Sequence, residues 1–253
     1  MDMLPAATAR WRLDLCFDGT RYHGWQRQPN AISVQQTTEE ALSTILQQPV
    51  SITGAGRTDT GVHARLMPTH FDSNINMSAE QLAYKLNRIL PDDIAALQAQ
   101  QVSDQWHARF SATQRTYHYY VHLGKKPFLR YTSLQLHHPL DMNAMNEAAA
   151  TLLETHDFAA FCKSGSDVRT TLCDVKEAKW INTGNKTWYF RISADRFLRN
   201  MVRAIVGTLV DVGRGKTTLQ QFNDIINGHQ RTQAGDSMPA HALCLESVDY
   251  PQT

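Results

Sequence analysis

The chain has 253 residues, 42% of them hydrophobic and 19% charged, and it carries 25 Lys and Arg against 24 Asp and Glu for a formal net charge of +1. This is the profile of an ordinary soluble globule with room for one substantial core or two modest halves. No apolar run approaches a membrane span and no basic segment followed by an apolar one opens the chain, so neither insertion nor secretion is indicated and the cytoplasm is the default expectation.

The near-zero charge argues against a protein that is basic all over. Cationic side chains nevertheless gather in a few segments, with Arg21, Arg27, Arg57, Arg65, Lys163, Arg169, Arg199, Arg203 and Arg214 among them. Acids are expected to collect elsewhere, as at Glu39-Glu40, Asp92-Asp93 and Glu246. A basic cleft on a neutral protein would suffice for phosphate contacts. The four cysteines, Cys16, Cys162, Cys173 and Cys244, have no paired spacing and no histidine spacing suited to zinc. Neither metal nor disulfides are expected.

In chain order, Trp11 to Phe17 alternates like a strand and is closed by Asp18-Gly-Thr-Arg-Tyr-His-Gly-Trp-Gln-Arg-Gln28. Val34 to Leu46 has helical spacing, Thr69 to Phe71 reads as a strand, Ala79 to Leu90 as a helix ended by Pro91, and Ile94 to Val102 as a strand. The second half starts with a strand from Arg115 to Leu123, then a helix from Met142 to Glu154. Strands near Val168 to Ile181 and Trp188 to Ser193 precede helices from Phe197 to Val212 and Leu219 to Asn227, and Ala242 to Asp249 is the last strand. Strands and helices intermixed with hairpin-like pairs indicate α+β with a largely antiparallel sheet. The two halves have a similar order and no low-complexity linker, which suggests an N-terminal lobe over residues 1–109 and a C-terminal lobe over 110–253.

Between the first helix and the strand at Thr69 lies Gly54-Ala-Gly-Arg-Thr-Asp-Thr-Gly-Val-His-Ala64, which sets one acid, Asp59, beside Arg57 among three glycines. A carboxylate next to a guanidinium is held ionised, and an ionised Asp can act as nucleophile or base. The segment lacks the Gly-Lys-Ser/Thr ending of a P-loop, and Asp59 stands where a dinucleotide fingerprint would need its third glycine. By themselves the eleven residues fit a surface turn with an ion pair equally well.

The remaining motifs are Val34-Gln35, Phe110-Ser-Ala-Thr-Gln-Arg-Thr-Tyr-His-Tyr119, Phe197-Leu-Arg-Asn-Met-Val-Arg-Ala-Ile-Val-Gly207 and Leu243-Cys-Leu-Glu-Ser-Val-Asp-Tyr-Pro251. In this order and spacing the chain resembles the tRNA pseudouridine synthase A family from about Leu13 to Pro251. The resemblance implies two similar α/β lobes whose largely antiparallel sheets join around a central RNA-binding cleft, the pseudouridine synthase fold, and a homodimer. It also implies isomerisation of uridine to pseudouridine in the anticodon arm of transfer RNA, with no cofactor, metal or second substrate.

Residue by residue, Asp59 matches the family's essential aspartate. Whether it would attack the sugar, attack the ring or abstract a ribose proton is open. Tyr117 matches an active-site tyrosine placed to stack on the uracil; alternation alone puts Tyr117 and Tyr119 on one face and does not choose between them. Arg57 resembles an arginine that moves the target base out of its stack. Leu245 matches an apolar residue of the uracil pocket. Arg203 matches the arginine that pairs with the catalytic aspartate. The physical reading agrees, because the stretch from Met201 to Val212 has only Arg203 and Asp211 as charges and should be buried, and a buried guanidinium needs a fixed anion. Asn200 and His63 are expected to hold loops rather than to react.

The chain departs from the family pattern at Thr60, where a small apolar residue is usual, and in Ala64-Arg-Leu-Met-Pro-Thr-His70, where Pro68 is expected to interrupt strand pairing. A catalytically idle RNA-binding protein and a glycoside-type hydrolase are the competing classes. The first sits poorly with an intact Asp59, Tyr117 and Arg203, and the second wants another acid in a comparable loop, a setting Asp18 lacks.

Overall fold

The computed structural model describes residues 8–166 and 168–251. The chain forms two compact units, one running to Thr113 and taking in the residues from Ser247 onward, the other Gln114–Glu246.

The first unit is built on strands β1 (Ala9–Phe17), β2 (Thr53–Gly54), β3 (His63–Ser73) and β4 (Ile94–Val102), with helices α1 (Val34–Leu46) and α2 (Ala79–Ile89). β1 lies between β4 and β3 and is antiparallel to both. Trp11, Leu13, Leu15 and Phe17 alternate along β1 and are all buried, so the period-two pattern of the sequence points one face into a core. Both helices start where their caps dictate. The Ser33 hydroxyl accepts from the Gln36 N–H, and Ser78 and Gln81 form a reciprocal capping box. α2 stops at Ile89 because Leu90 precedes Pro91 and is driven to extended geometry, φ −65° and ψ 144°.

The strand expected over Thr69–Phe71 runs the full length of β3, and Pro68 does not break it. Antiparallel residues point their N–H and C=O to one edge. The edge of Pro68 faces β2, since its carbonyl accepts from the Ala55 N–H at 2.9 Å, while Thr69 faces β1 and bonds the Leu13 carbonyl through its hydroxyl. The missing donor therefore falls outside the β1–β3 ladder. Pro68 instead ends the short β2 pairing and releases the chain into the Asp59 loop.

The second unit contains β5 (Gln114–Leu123), β6 (Leu134–Leu136), β7 (Val175–Gly184), β8 (Thr187–Ala194) and β9 (Leu243–Asp249), the last crossing into residues counted with the first unit. Its helices are α3 (Met142–Ala150), α4 (Met201–Gly213) and α5 (Leu219–Gly228). The strand order is β9-β5-β8-β7, with β5–β8 and β7–β8 antiparallel and the short β6 parallel to β5. Each unit thus places its first strand between its last strand and a middle one. The architecture is α+β with mostly antiparallel sheet.

Besides β3, the expected starts or ends of three elements lie well away from those observed. α3 ends at Ala150 and continues as a 3₁₀ turn, Thr151–Leu153. β7 begins at Val175, because Phe158 and Cys173 tie the preceding segment to residues 156–158 through Phe158 N–H to Thr171 O and Cys173 N–H to His156 O. α4 begins at Met201 rather than Phe197, because Asn200 takes a left-handed conformation with φ 67°. No helix among the described residues is long and apolar enough to cross a membrane.

At the edge of the first unit His70 is buried against Trp106 and His107, and its Nδ1 accepts the Ala108 N–H at 3.2 Å. Burial, then the neighbouring His107 and Arg10, lower its pKa from 6.5 to about 4. The folded protein therefore resists a proton that the unfolded chain accepts, so stability is unaffected by His70 above pH 6.5 and falls as the pH drops from there toward 4. Urea midpoints measured across that window should decline, and His70→Asn, which keeps an acceptor and cannot titrate, should flatten part of the slope. His107 and His122, whose pKa values burial also lowers, contribute to the rest of the slope.

Candidate active site

The Asp59 loop leaves β2 at Gly54 and rejoins β3 at His63. Asp59 opens a turn closed by Val62 N–H to Asp59 O at 3.1 Å, with Gly61 at φ 80°, and it is half-buried. The segment after β1 grips this turn main chain to main chain: Trp25 N–H donates to Thr58 O at 3.2 Å and Gly61 N–H donates to Tyr22 O at 3.2 Å. Gly24 makes the approach possible. It has φ 86°, and a Cβ there would stand 2.4 Å from Thr58 O. Beneath the contact Trp25 is fully buried and stacked on Phe17.

His63 holds the far end of the loop. Its Nδ1 accepts the Gly19 N–H at 3.0 Å, and Asp18 caps the 3₁₀ turn Gly19–Arg21 through the Thr20 N–H. Accepting from an amide leaves Nδ1 unprotonated, so the nearby Asp18 Oδ1 at 3.1 Å is a neighbour rather than an ion-pair partner.

Arg57 does not pair with Asp59. Its guanidinium is exposed and turns to the preceding motif, Nε donating to Gln26 Oε1 at 3.2 Å, whereas Asp59 is half-buried in its turn. The expectation that acids sit apart from the motif cations also fails. Asp93 binds Arg21 at 2.6 Å and the Tyr22 hydroxyl at 2.6 Å, and the buried Glu39 binds Arg27 at 3.0 Å. Hydrogen bonds from Arg21 and Tyr22 outweigh the burial of Asp93 and hold its carboxyl below the ordinary range. Sequence spacing could not reveal these pairs, which join residues 72 and 12 positions apart.

In the second unit Tyr117 lies on β5 half-buried, with its ring edge-on to Phe197 at 5.1 Å, while Tyr119 is fully buried and donates its hydroxyl to Pro239 O at 2.9 Å. The two tyrosines of one face are thus separated by burial: Tyr119 is core, and Tyr117 is only half-buried. Arg203 projects from α4, nearly all of whose other residues are buried, and is itself half-buried. Its Nε donates to Met238 O at 2.6 Å and its own carbonyl accepts the Met238 N–H at 3.1 Å. The segment around Met238 sits close because Gly207 has no side chain: a Cβ there would stand 1.8 Å from Asp236 O. Asn200, at the start of α4, donates to the Ser237 hydroxyl at 2.5 Å and holds the same segment. Leu245 is buried in β9.

The first unit therefore brings together Asp59, Arg57 and His63, and the second carries Tyr117, Arg203 and Leu245. Gln26, Gln35 and Glu39 join the first group through side-chain hydrogen bonds; Gln26 and Gln35 had the sequence signal of belonging to the motifs around Trp25 and Val34, whereas Glu39 had none. Among the described residues no group of three or more histidine, cysteine or carboxylate side chains could hold a metal ion.

Gly24→Ala should destabilise the protein by about 1–3 kcal/mol, since the new methyl group combines a strained backbone with a collision against a carbonyl that cannot swing away. Urea unfolding measures the loss. Amide exchange should quicken at Trp25 and Gly61, whose N–H groups bridge the two segments.

A family model described as tRNA pseudouridine synthase matches residues 16–111 and 148–251. A protein of Porphyromonas gingivalis named tRNA pseudouridine synthase A is 52% identical over 248 residues, covering 96% of this chain and 98% of its own length. A Bacteroides fragilis protein of the same name is 50% identical over 244 residues, with 96% and 97% covered, and one from Acetivibrio thermocellus is 40% identical over 241 residues, with 94% and 98% covered. With the Asp59 loop and the helix of Arg203 both inside the matched stretches, the chain belongs to the tRNA pseudouridine synthase family.

Proposed function

We propose that this protein isomerises uridine to pseudouridine in transfer RNA, with a uridine of the anticodon arm as its target. The observation that carries the reading is the family match over both units, which takes in the loop that holds Asp59. The reaction breaks the N-glycosidic bond, turns the uracil and rejoins it through carbon. It conserves every atom and the oxidation level, so it calls for no oxidant, reductant or group donor. In this reading the enzyme works in the cytoplasm as a homodimer and without a metal.

Asp59 is the group that engages the substrate covalently or as a base. A loop clamped main chain to main chain supports that role, because a catalytic group must be held before the substrate arrives. Tyr117 is the ring to stack on the uracil, and Leu245 the apolar side chain to line the pocket of the same base. Arg203 supplies a guanidinium whose direction is set by Met238 O. Arg57, exposed beside the loop, helps draw the target nucleotide from its stack. The N-terminal lobe, residues 1–109, would then furnish the reacting carboxylate, and the C-terminal lobe, 110–253, the tyrosine and the second arginine.

Incubation with uridine-labelled transfer RNA, followed by nucleoside analysis, tests the activity directly. Asp59→Asn should leave no more than a few per cent of turnover while RNA affinity stays within about three-fold, since phosphate contacts supply most of the binding. Appearance of pseudouridine at a comparable rate with Asp59→Asn would refute its role. Arg203→Lys should melt close to the parent yet lose most activity, because an ammonium cannot reproduce the planar set of donors of a guanidinium.

A further inference from the structure

Arg57 lies at the exposed end of a hydrogen-bonded chain whose other end is buried. Glu39, on α1, is only 5% exposed. Its Oε1 accepts from Ile52 N–H at 3.0 Å, Gln35 Nε2 at 2.9 Å and Ser51 Oγ at 3.2 Å, and its Oε2 from Arg27 Nη1 at 3.0 Å. Gln35 is also buried and is held by main chain at both ends of its carboxamide: Nε2 donates to Ile52 O at 3.0 Å and Oε1 accepts Arg27 N–H at 2.9 Å. A backbone N–H can only donate and a backbone carbonyl only accept, so these partners decide which end of Gln35 is oxygen.

The polarity then propagates outward. Gln35 Oε1 must be met by a donor, and Gln26 Nε2 meets it at 2.7 Å. That leaves Gln26 Oε1 facing Arg57 Nε, itself an obligatory donor, at 3.2 Å. Gln26 and Arg57 are both exposed, so neither contact is needed to fill the core. What the contact does is restrict a side chain that would otherwise sample many rotamers, and it does so through Nε alone. The two terminal Nη groups have no partner among the described residues and remain available to phosphate or base.

We infer that Gln26 is a positioning residue for Arg57, with its amide orientation dictated by the buried Gln35–Glu39 pair, so that the guanidinium is presented to transfer RNA by its terminal nitrogens. The inference rests on the reading that Arg57 handles the target nucleotide. It extends the site inward from the loop to α1, and it assigns a role to the carboxylate that sequence alone had set apart from the motif.

A double-mutant cycle on the full chain tests it, with Gln26→Met and Arg57→Met measured for kcat and KM of pseudouridine formation in transfer RNA and for melting temperature. Gln26→Met should lower kcat roughly three- to ten-fold, the worth of one hydrogen bond, leave KM within about two-fold and melt like the parent. Arg57→Met should be slower still, by roughly a hundred-fold, as expected for a lost positioning group. The double variant should be no slower than Arg57→Met, because Gln26 acts only through Arg57. Multiplied losses in the double variant, or a parental kcat for Gln26→Met beside a slow Arg57→Met, would overturn the relay alone. Parental turnover by Arg57→Met would overturn the reading of Arg57 on which the relay rests.

Discussion

The main chain of Tyr22 to Trp25 is bonded to the main chain of Thr58 to Gly61, and the placement of Asp59 depends on that contact. Main chain cannot change rotamer, so a loop clamped this way holds its acid more firmly than one clamped by side chains. The contact needs a residue with no Cβ and positive φ at position 24, a buried indole beneath it at Trp25, and a β2 strand that ends early enough to free the loop. Gly24 supplies the first, the core around Phe17 the second, and the proline edge of β3 the third. Three segments far apart in sequence therefore cooperate in one backbone geometry.

The charges around this clamp follow a similar economy. Cations and acids are nearly equal in number, and several of the cations are matched locally: Arg21 by Asp93, Arg27 by Glu39, Arg10 by Asp72. These pairs spend cationic charge on structure rather than on ligand. Arg57 is held by a neutral amide instead, and keeps its full charge for a partner. The two arrangements have different consequences, since an exposed ion pair is screened and contributes little to stability, whereas a neutral tether orients a guanidinium without cancelling its field.

The second unit fixes its arginine by different means. α4 is apolar on nearly every side, and the close pass of the segment from Gly235 to Met238 along it is what gives Arg203 a carbonyl to bond. Asn200 and Gly207 both serve this packing, one by stopping the helix in a left-handed turn and the other by leaving room for Asp236. A buried helix with a single cationic side chain needs such a strap, because an unanchored guanidinium in apolar surroundings would be costly.

Much of this was legible in the residues. Alternation in Trp11–Phe17, the stop before Pro91 and the apolar run of α4 are local properties, set by backbone geometry and burial within a few residues, and they appear where the pattern puts them. The motif order was enough to indicate the family and to single out Asp59, Arg57 and Arg203 as candidates. The tertiary structure alone decided which neighbours these residues have: that Arg57 turns to Gln26 and not to Asp59, that Glu39 and Asp93 neutralise motif cations, that Tyr119 is core while Tyr117 is only half-buried, and that Pro68 lies harmlessly within β3. The physical reason is that hydrogen bonds, ion pairs and strand edges are satisfied across space, between residues tens of positions apart, and periodicity along the chain carries no information about which distant donor will arrive.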